Sequence, residues 1–184
     1  MKSGIIILSE LDGAVRDHVL AIQRRVDPKL ASTVLPHVTI TGSSGMGPIP
    51  VKTSEKELRA ALEPIAADTP PMTLRFLPPM QFMQSNVVVL PLDPHGPLRE
   101  LHERIKNTKL PREAPRFAFT PHVTLNLFRE LPSDEVRELL KTRVNEPVKL
   151  SRIAAYQTIG PVGAKKIVEF ELTGDAARNP RVRQ

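Results

Sequence analysis

Two short segments of near-identical sequence carry the side chains best suited to chemistry. The first reads PHVTI at 36–40 and the second reads PHVTL at 121–125. In an extended strand, residues i and i+2 lie on the same face. The valine and the isoleucine or leucine therefore point one way, and the histidine and threonine point the other. The polar residues on these two faces are His37, Thr39, His122 and Thr124.

These residue types match the needs of phosphate-ester chemistry. Two hydroxyls can donate to the non-bridging oxygens of a phosphate, and two imidazoles can supply one neutral base and one protonated acid. Histidine suits both tasks because its unperturbed pKa, about 6.5, allows either form near neutral pH. A zinc site is disfavoured, because threonine is a poor zinc ligand, the chain has no cysteine and the strands hold no carboxylate. If the two strands are neighbours, the pattern predicts a site that needs neither metal nor cofactor.

Two other interpretations of the repeated strands stay open. The same side chains can bind the phosphate of a nucleotide or an RNA without cleaving it. Alternatively, both strands are ordinary parts of an α+β core, where a single histidine on a half-buried strand is usually structural. The doubling favours chemistry, because two histidines in matching strand contexts are harder to explain as separate core residues.

Two H-x-T motifs about half a chain apart resemble the two-histidine phosphoesterase superfamily. The closest resemblance is to LigT-like proteins, the 2′-5′ RNA ligases and RNA 2′,3′-cyclic phosphodiesterases. It is carried by HVTI at 37–40 and PHVTL at 121–125, and extends more loosely over about 4–173. The resemblance implies a bilobal α+β fold with a central cleft between two pseudo-symmetric halves, each with an antiparallel sheet and flanking helices. It also implies metal-independent opening of a 2′,3′-cyclic phosphate to a 2′-phosphate, and 2′-5′ RNA ligation in some members.

The resemblance marks the two histidines and two threonines of the motifs as catalytic residues. We assign His122 as the base that activates water and His37 as the acid that protonates the leaving ribose oxygen, and leave the reverse assignment open. Thr39 and Thr124 are expected to bind phosphate oxygens and to stabilise the charge of the pentacoordinate state. The substrate is expected to be an RNA end or a small nucleotide that carries a cyclic phosphate.

Four further residues are candidates for binding the substrate, namely Tyr156, Phe119, Arg129 and Lys165. The two rings can stack on a base, and the two cations can bind phosphate. Each has an ordinary alternative, which is packing for the rings and solvent exposure for the charges. His18 and His102 lie beside the apolar stripes of two predicted helices, and we expect them at helix rims rather than in the site.

Periodicity and turn residues predict a series of strands and helices. Apolar spacing predicts helices at 12–26 and 93–107, and Ser54 with Glu57 forms a capping box for a helix that ends near 67. A short helix is expected at 133–142 and a turn at 78–85. Strands are expected at 4–8, 36–41, 72–77, 86–90, 121–127, 148–159 and 166–172. This order predicts an α+β arrangement rather than a doubly wound parallel sheet.

Composition places these elements in one small basic protein. The 184 residues are enough for a single two-lobed domain at 1–174, with halves at roughly 1–90 and 91–174 and a flexible tail at 175–184. The net charge of +6 favours anionic partners. Six phenylalanines, one tyrosine and no tryptophan argue against a long base-stacking groove. The lack of cysteine favours a cytoplasmic location, and the lack of an apolar run of about 18 residues predicts no membrane contact. We expect a monomer.

Overall fold

A computed structural model describes residues 4–42, 44–159 and 163–175 of the chain. Within these ranges the helices are α1 (Gly13–Val26), α2 (Pro28–Thr33), α3 (Glu55–Ala67), α4 (Pro97–Lys106) and α5 (Ser133–Lys141). The strands are β1 (Ile5–Glu10), β2 (His37–Thr41), β3 (Met72–Leu74), β4 (Met80–Gln81), β5 (Val88–Pro91), β6 (His122–Asn126), β7 (Val148–Leu150), β8 (Arg152–Ile159) and β9 (Gly163–Glu171). Residues 176–184 of the expected tail lie outside the described ranges.

Three antiparallel sheets organise the strands. One sheet has four strands in the order β2-β1-β8-β9, a second has three in the order β4-β5-β6, and the third pairs β3 with β7. The predicted α+β class with antiparallel sheets and flanking helices is therefore confirmed. The four-stranded sheet and the β3–β7 pair each combine early and late strands, whereas the three-stranded sheet consists of consecutive strands from the middle of the chain. The three-stranded sheet is thus inserted in sequence between the early and the late strands of the four-stranded sheet.

The two motif strands occupy equivalent places in the two larger sheets. β2 pairs with β1 so that His37 faces Glu10 and Thr39 faces Leu8. β6 pairs with β5 so that His122 faces Pro91 and Thr124 faces Val89. Both pairs contain a register shift at the same point, and both motif strands alternate burial in the same way. This repeated geometry gives the two motifs a local pseudo-symmetry.

The core forms as the apolar spacing predicts. Helix α1 buries the stripe formed by Val15, Val19, Ile22 and Val26. The apolar faces of α3, α4 and the larger sheets meet it in one continuous cluster. Burial of such stripes is the main favourable contribution to folding. The capping box of α3 is present, because the Ser54 hydroxyl accepts from the Glu57 backbone N–H and the Glu57 carboxylate accepts from the Ser54 N–H.

Three local expectations differ from the structure. The predicted turn at 78–85 contains the two-residue strand β4, which pairs with β5. The predicted strand at 148–159 is broken at Ser151 into β7 and β8, which belong to different sheets. Helix α2 was not predicted, and it begins directly after α1 because Asp27 caps it and Pro28 takes its first position.

None of the helices in the described part of the chain is long and apolar enough to cross a membrane.

Candidate active site

The two motif histidines make the same local hydrogen bond. His37 Nδ1 lies 2.9 Å from the carbonyl oxygen of Leu35, and His122 Nδ1 lies 2.6 Å from that of Thr120. A carbonyl oxygen only accepts, so Nδ1 carries the proton in each ring. The remaining nitrogen, Nε2, accepts when the ring is neutral and donates when it is charged. Each imidazole is thus oriented by the backbone two residues earlier, with Nε2 left for chemistry.

The environment of these rings favours their neutral forms. Burial lowers the pKa of His37 below its ordinary value, and the nearby charge of His122 lowers it further. Burial also lowers the pKa of His122, whose ring meets the edge of Phe82 at a centroid distance of 5.1 Å. The two backbone acceptors oppose this by stabilising the charged forms. β2 packs against β6, and this proximity of the two motif strands is why the charge of His122 acts on His37.

A cleft of about 370 Å³ opens beside the motif strands. His37, Thr39 and Thr124 line it, and His122 lies on the same face of β6 as Thr124, two residues earlier. Neither threonine hydroxyl has a hydrogen-bond partner among the described residues. The two hydroxyls are therefore available as donors to a bound group, which is the arrangement predicted for a phosphate.

The rest of the cleft is mainly apolar. Large side chains that stay partly exposed at its wall include Leu35, Phe117, Leu127 and Phe128. Phe117 is 67% exposed, and its carbonyl accepts from the Gly45 N–H at 2.8 Å, which fixes the basic segment 109–118 against the loop after β2. The adjacent Arg116 also lines the cleft. A cation and an aromatic ring thus lie beside the polar face of the motifs.

Buried polar side chains tie each motif strand to a helix. The Gln23 amide of α1 donates to the carbonyl of Thr124 at 2.7 Å. His102 of α4 donates from Nδ1 to the carbonyl of Ile40 at 2.7 Å, and its ring stacks on Phe119 at 4.0 Å. The expectation that His102 lies at a helix rim is wrong, because α4 packs on β2 and leaves that side chain fully buried. His18 does lie at a rim, where it pairs with Glu146.

Asp27 fixes one wall of the cleft. Its carboxylate accepts from the backbone N–H groups of Leu30, Leu127 and Phe128 at 2.7–3.0 Å. Burial alone would raise the pKa of this carboxyl, but the backbone donors outweigh burial and lower it. One side chain therefore caps α2 and holds the segment that follows β6 at the same time.

The four residues proposed to bind substrate lie outside the lining of the cleft. Phe119 is buried against His102 in the core, and Arg129 is engaged by Glu135 at 2.9 Å. Tyr156 lies on the cleft side of the four-stranded sheet, but its hydroxyl donates to Glu10. Lys165 is opposite Gln157 in the β8–β9 pair, and Lys166 is opposite Tyr156. The side chain of Lys165 therefore lies on the other face of β9 from that of Lys166.

Two residues that sequence analysis missed lie at the site, Glu10 and Gln23. Glu10 faces His37 across the β1–β2 pair. Its only sequence signal is its place at the end of an apolar strand. Gln23 gives a clearer signal, because it lies four residues after Val19 within the apolar stripe of α1. A polar residue there needs a buried partner, and Thr124 supplies one.

The family model described as "2'-5' RNA ligase superfamily" matches residues 11–160, which is most of the chain. This chain belongs to the 2′-5′ RNA ligase superfamily. Among curated proteins, one from Geobacillus thermodenitrificans named "Putative phosphoesterase" is 29% identical over 163 residues, which cover 86% of this chain and 84% of that protein. A protein of the same description from Geobacillus kaustophilus is 31% identical over 140 residues, which cover 76% of this chain and 75% of the relative.

Solved structures with a similar fold confirm the architecture. Escherichia coli LigT, crystallised with 3′-AMP, matches with a TM-score of 0.59 and 18% identity over 93% of this chain and 98% of LigT. TT0787 of Thermus thermophilus matches with a TM-score of 0.66 and 14% identity over 95% of this chain and all of that chain. These likenesses show the fold.

The residue that directly follows the second motif has a structural role. The Asn126 side chain is buried and donates to the carbonyls of Asn86 and Arg129 at 2.7 and 2.8 Å. Asn126 thus holds the end of β6 against the segment that precedes β5 and against the turn that follows the motif.

The described residues contain no group of three or more His, Asp or Glu side chains arranged to hold a metal ion.

Proposed function

We propose that this superfamily member is a metal-independent phosphodiesterase that opens a 2′,3′-cyclic phosphate, at an RNA end or on a small nucleotide, to a 2′-phosphate. The observation that carries the proposal is the equivalent register of the two His-x-Thr strands beside one cleft. Family membership supports phosphoester chemistry. The finer choice of a cyclic substrate rests on the LigT-like resemblance of the motifs.

The reaction needs one base and one acid on opposite sides of the phosphorus. In the proposed mechanism, neutral His122 accepts a proton from water at Nε2 as the water oxygen bonds to phosphorus. The bond from phosphorus to the ribose O3′ breaks, and protonated His37 gives the Nε2 proton to that oxygen. Atoms and charges balance, because one proton enters the site on water and one leaves on the product hydroxyl. His122 then holds the extra proton, and exchange with solvent resets the pair.

The hydroxyls of Thr39 and Thr124 provide the electrostatic part of the proposed mechanism. Each donates to a non-bridging oxygen, where negative charge grows as phosphorus becomes pentacoordinate. Donors fixed in a partly dry cleft contribute more than donors in water, because they need no reorganisation during the step. Arg116 lies at the same cleft and adds a positive charge.

The apolar wall supports a nucleotide rather than a bare phosphate ester. Phe117 and Phe128 offer ring faces beside the motif strands, and a base can stack on an exposed ring. The solved LigT complexes with 3′-AMP and with phosphate are consistent with this choice of substrate. With a 5′-hydroxyl in place of water as the nucleophile, the same groups would join the cyclic phosphate to a second RNA as O3′ leaves, which is the 2′-5′ RNA ligase direction.

The direct test is incubation of the purified protein with each 2′,3′-cyclic nucleotide and with a short RNA that ends in the cyclic phosphate, in the presence of EDTA. Chromatography against authentic standards separates the 2′-phosphate from the 3′-phosphate. We expect the 2′-phosphate alone, at a rate that EDTA leaves unchanged.

Three results would contradict the proposal. Formation of the 3′-phosphate would mean that O2′, and not O3′, is the leaving oxygen. Loss of turnover in EDTA would mean that the reaction requires a metal ion. Tight binding of the RNA end without any turnover would favour the alternative of a nucleotide- or RNA-binding protein.

A further inference from the structure

The pseudo-symmetry of the two motifs is broken at the residue that faces each histidine. Across the β1–β2 pair, His37 faces Glu10. At the equivalent place across the β5–β6 pair, His122 faces Pro91. Side chains of directly opposed residues in an antiparallel pair lie on the same face, about 5 Å apart at Cβ. One histidine thus has a carboxylate beside it, and the other has an apolar ring.

The carboxylate of Glu10 is held by side chains from the two strands beyond it. The Tyr156 hydroxyl of β8 donates to its Oε1, and Lys166 Nζ of β9 lies 3.6 Å from its Oε2. Burial and the bond to Glu10 raise the pKa of Tyr156 to about 12, so the hydroxyl keeps its proton. Lys166 packs over the Tyr156 ring at 5.5 Å and also binds Glu169 at 2.6 Å. Glu10 is therefore fixed beside His37 rather than free to turn into solvent.

The charges around Glu10 leave a net negative cluster at this edge of the sheet. Lys166 forms ion pairs with both Glu10 and Glu169. Arg152 lies 3.8 Å from Glu169 and 4.0 Å from Asp12. Three carboxylates and two cations sum to −1. The member of the cluster that lies directly opposite His37 is Glu10.

We propose that Glu10, held by Tyr156 and Lys166, is a positioning residue that supports the proton on His37 and so assigns the acid role to His37 and the base role to His122. The inference rests on the proposed function, because it gives the two histidines different parts in the same reaction. It also assigns Tyr156 a role, as the residue that orients Glu10.

The charge of Glu10 acts on one histidine and not on the other. Burial, which is the largest effect, and the charge of His122 lower the pKa of His37, whereas the Leu35 carbonyl and the charge of Glu10 raise it. For His122, burial is opposed by the Thr120 carbonyl, and no carboxylate contributes. Glu10 thus supports the proton of His37 against burial and against the charge of His122.

The test is a residue-specific NMR titration of the histidine rings in the wild type, Glu10→Gln and Asp12→Asn. Glu10→Gln keeps the size of the side chain and removes its charge. Asp12→Asn removes a charge from the same cluster at its far end. We expect Glu10→Gln to lower the titration midpoint of His37 by about one pH unit. The midpoint of His122 should change by less than about a fifth of that amount. Asp12→Asn should leave both midpoints in place.

A second variant, Tyr156→Phe, tests the orienting contact. It keeps the charge of Glu10 but removes the hydroxyl that holds it, so the His37 midpoint should fall by less than in Glu10→Gln. An unchanged His37 midpoint in Glu10→Gln would overturn the proposal. Equal shifts of both histidines would overturn it as well, since they would indicate a general disturbance of the cleft.

Kinetics then separate this inference from the proposed function. With a 2′,3′-cyclic nucleotide near pH 7, Glu10→Gln should lower kcat about tenfold with little change in KM, since about a tenfold smaller fraction of His37 carries a proton. The deficit should narrow as the pH is lowered. A pH-independent deficit would mean that Glu10 acts on structure alone. If the wild type has no turnover, the proposed function fails, and the NMR titration still decides whether Glu10 governs His37.

Discussion

At the scale of single residues, the candidate site combines two histidines that make the same backbone hydrogen bond with two threonines. Because Nδ1 of each ring is taken by a carbonyl, Nε2 is the nitrogen left to accept or donate a proton. Thr39 and Thr124 line the cleft, and their hydroxyls have no hydrogen-bond partner among the described residues. In the proposed mechanism, a phosphate therefore meets donors that need not first break another bond.

The threonine hydroxyls can be tested one at a time. Thr39→Val and Thr124→Val remove a hydroxyl and keep the shape of the side chain. Each should lower kcat by roughly 10²-fold, the effect typical of losing one donor to a developing charge. The matched control is Thr33→Val, because Thr33 also lines the cleft but its hydroxyl already donates to the Lys29 carbonyl at 2.6 Å. A loss in the control as large as in the motif variants would contradict the assigned role.

The lowered histidine pKa values predict an acidic optimum for the free enzyme. The proposed mechanism needs one neutral and one charged ring. The dependence of kcat/KM on pH should therefore be bell-shaped, with its maximum between the two apparent pKa values of the pair. Both are lowered by burial, and the maximum should therefore fall below about pH 6.5. The optimum of kcat should lie at higher pH, since a bound phosphate stabilises the charged ring. A single titration, or a kcat/KM maximum above about pH 8, would contradict the two-histidine mechanism.

At the scale of elements, each motif strand is positioned by a helix from elsewhere in the chain. Gln23 of α1 binds the backbone of β6, and His102 of α4 binds the backbone of β2. Asp27, at the junction of α1 and α2, binds the backbone after β6. These contacts are buried, so each one fixes the separation of a helix and a motif strand. The two lobes are held in register by a few polar bonds within an apolar core.

Asp27→Asn should destabilise the protein and loosen the cleft wall. It leaves at least one buried backbone donor without an ionised acceptor, at a cost of about 2 kcal/mol in the free energy of unfolding. Urea unfolding followed by circular dichroism measures this change. The control is Asp17→Asn, whose carboxylate pairs with Arg16 on the surface. Equal stability of the two variants would contradict the role of Asp27.

The same carboxylate also predicts a pH dependence. The pKa of Asp27 is lower in the folded protein, so its contribution is complete above the pKa of the unfolded group, about 3.9. It is lost as the pH falls through the lower pKa of the folded state. Asp27→Asn should lack this part of the acid destabilisation.

At the scale of the whole molecule, the pattern of the chain predicted the fold class and most of the elements. It also predicted that the histidine and threonine of each motif share one face of a strand, because the period of a strand fixes which side chains share a face, and the alternating burial of β2 and β6 agrees with this. Glu10 could not be found in this way, since its place opposite His37 depends on the register of β1 against β2. Tyr156 reaches Glu10 only through the pairing of β1 with β8, across 146 residues.

Burial was misjudged where tertiary packing decides it. His102 looked like a rim residue because a histidine beside an apolar stripe usually reaches water. Only the packing of α4 on β2 shows that its ring lies in the core. The burial of Phe119 has the same cause, because its ring stacks on His102 instead of facing the cleft.

The central claim is that the two histidines act as an acid–base pair on one phosphate. The most direct measurement is the turnover of a 2′,3′-cyclic nucleotide by His37→Ala, by His122→Ala and by the double variant, with His95→Ala, an exposed histidine, as the control. Each single variant should lose at least about 10³-fold in kcat. The double variant should lose little more, because the pair works as a unit. Near-wild-type turnover in either single variant, with circular dichroism confirming the fold, would contradict the account.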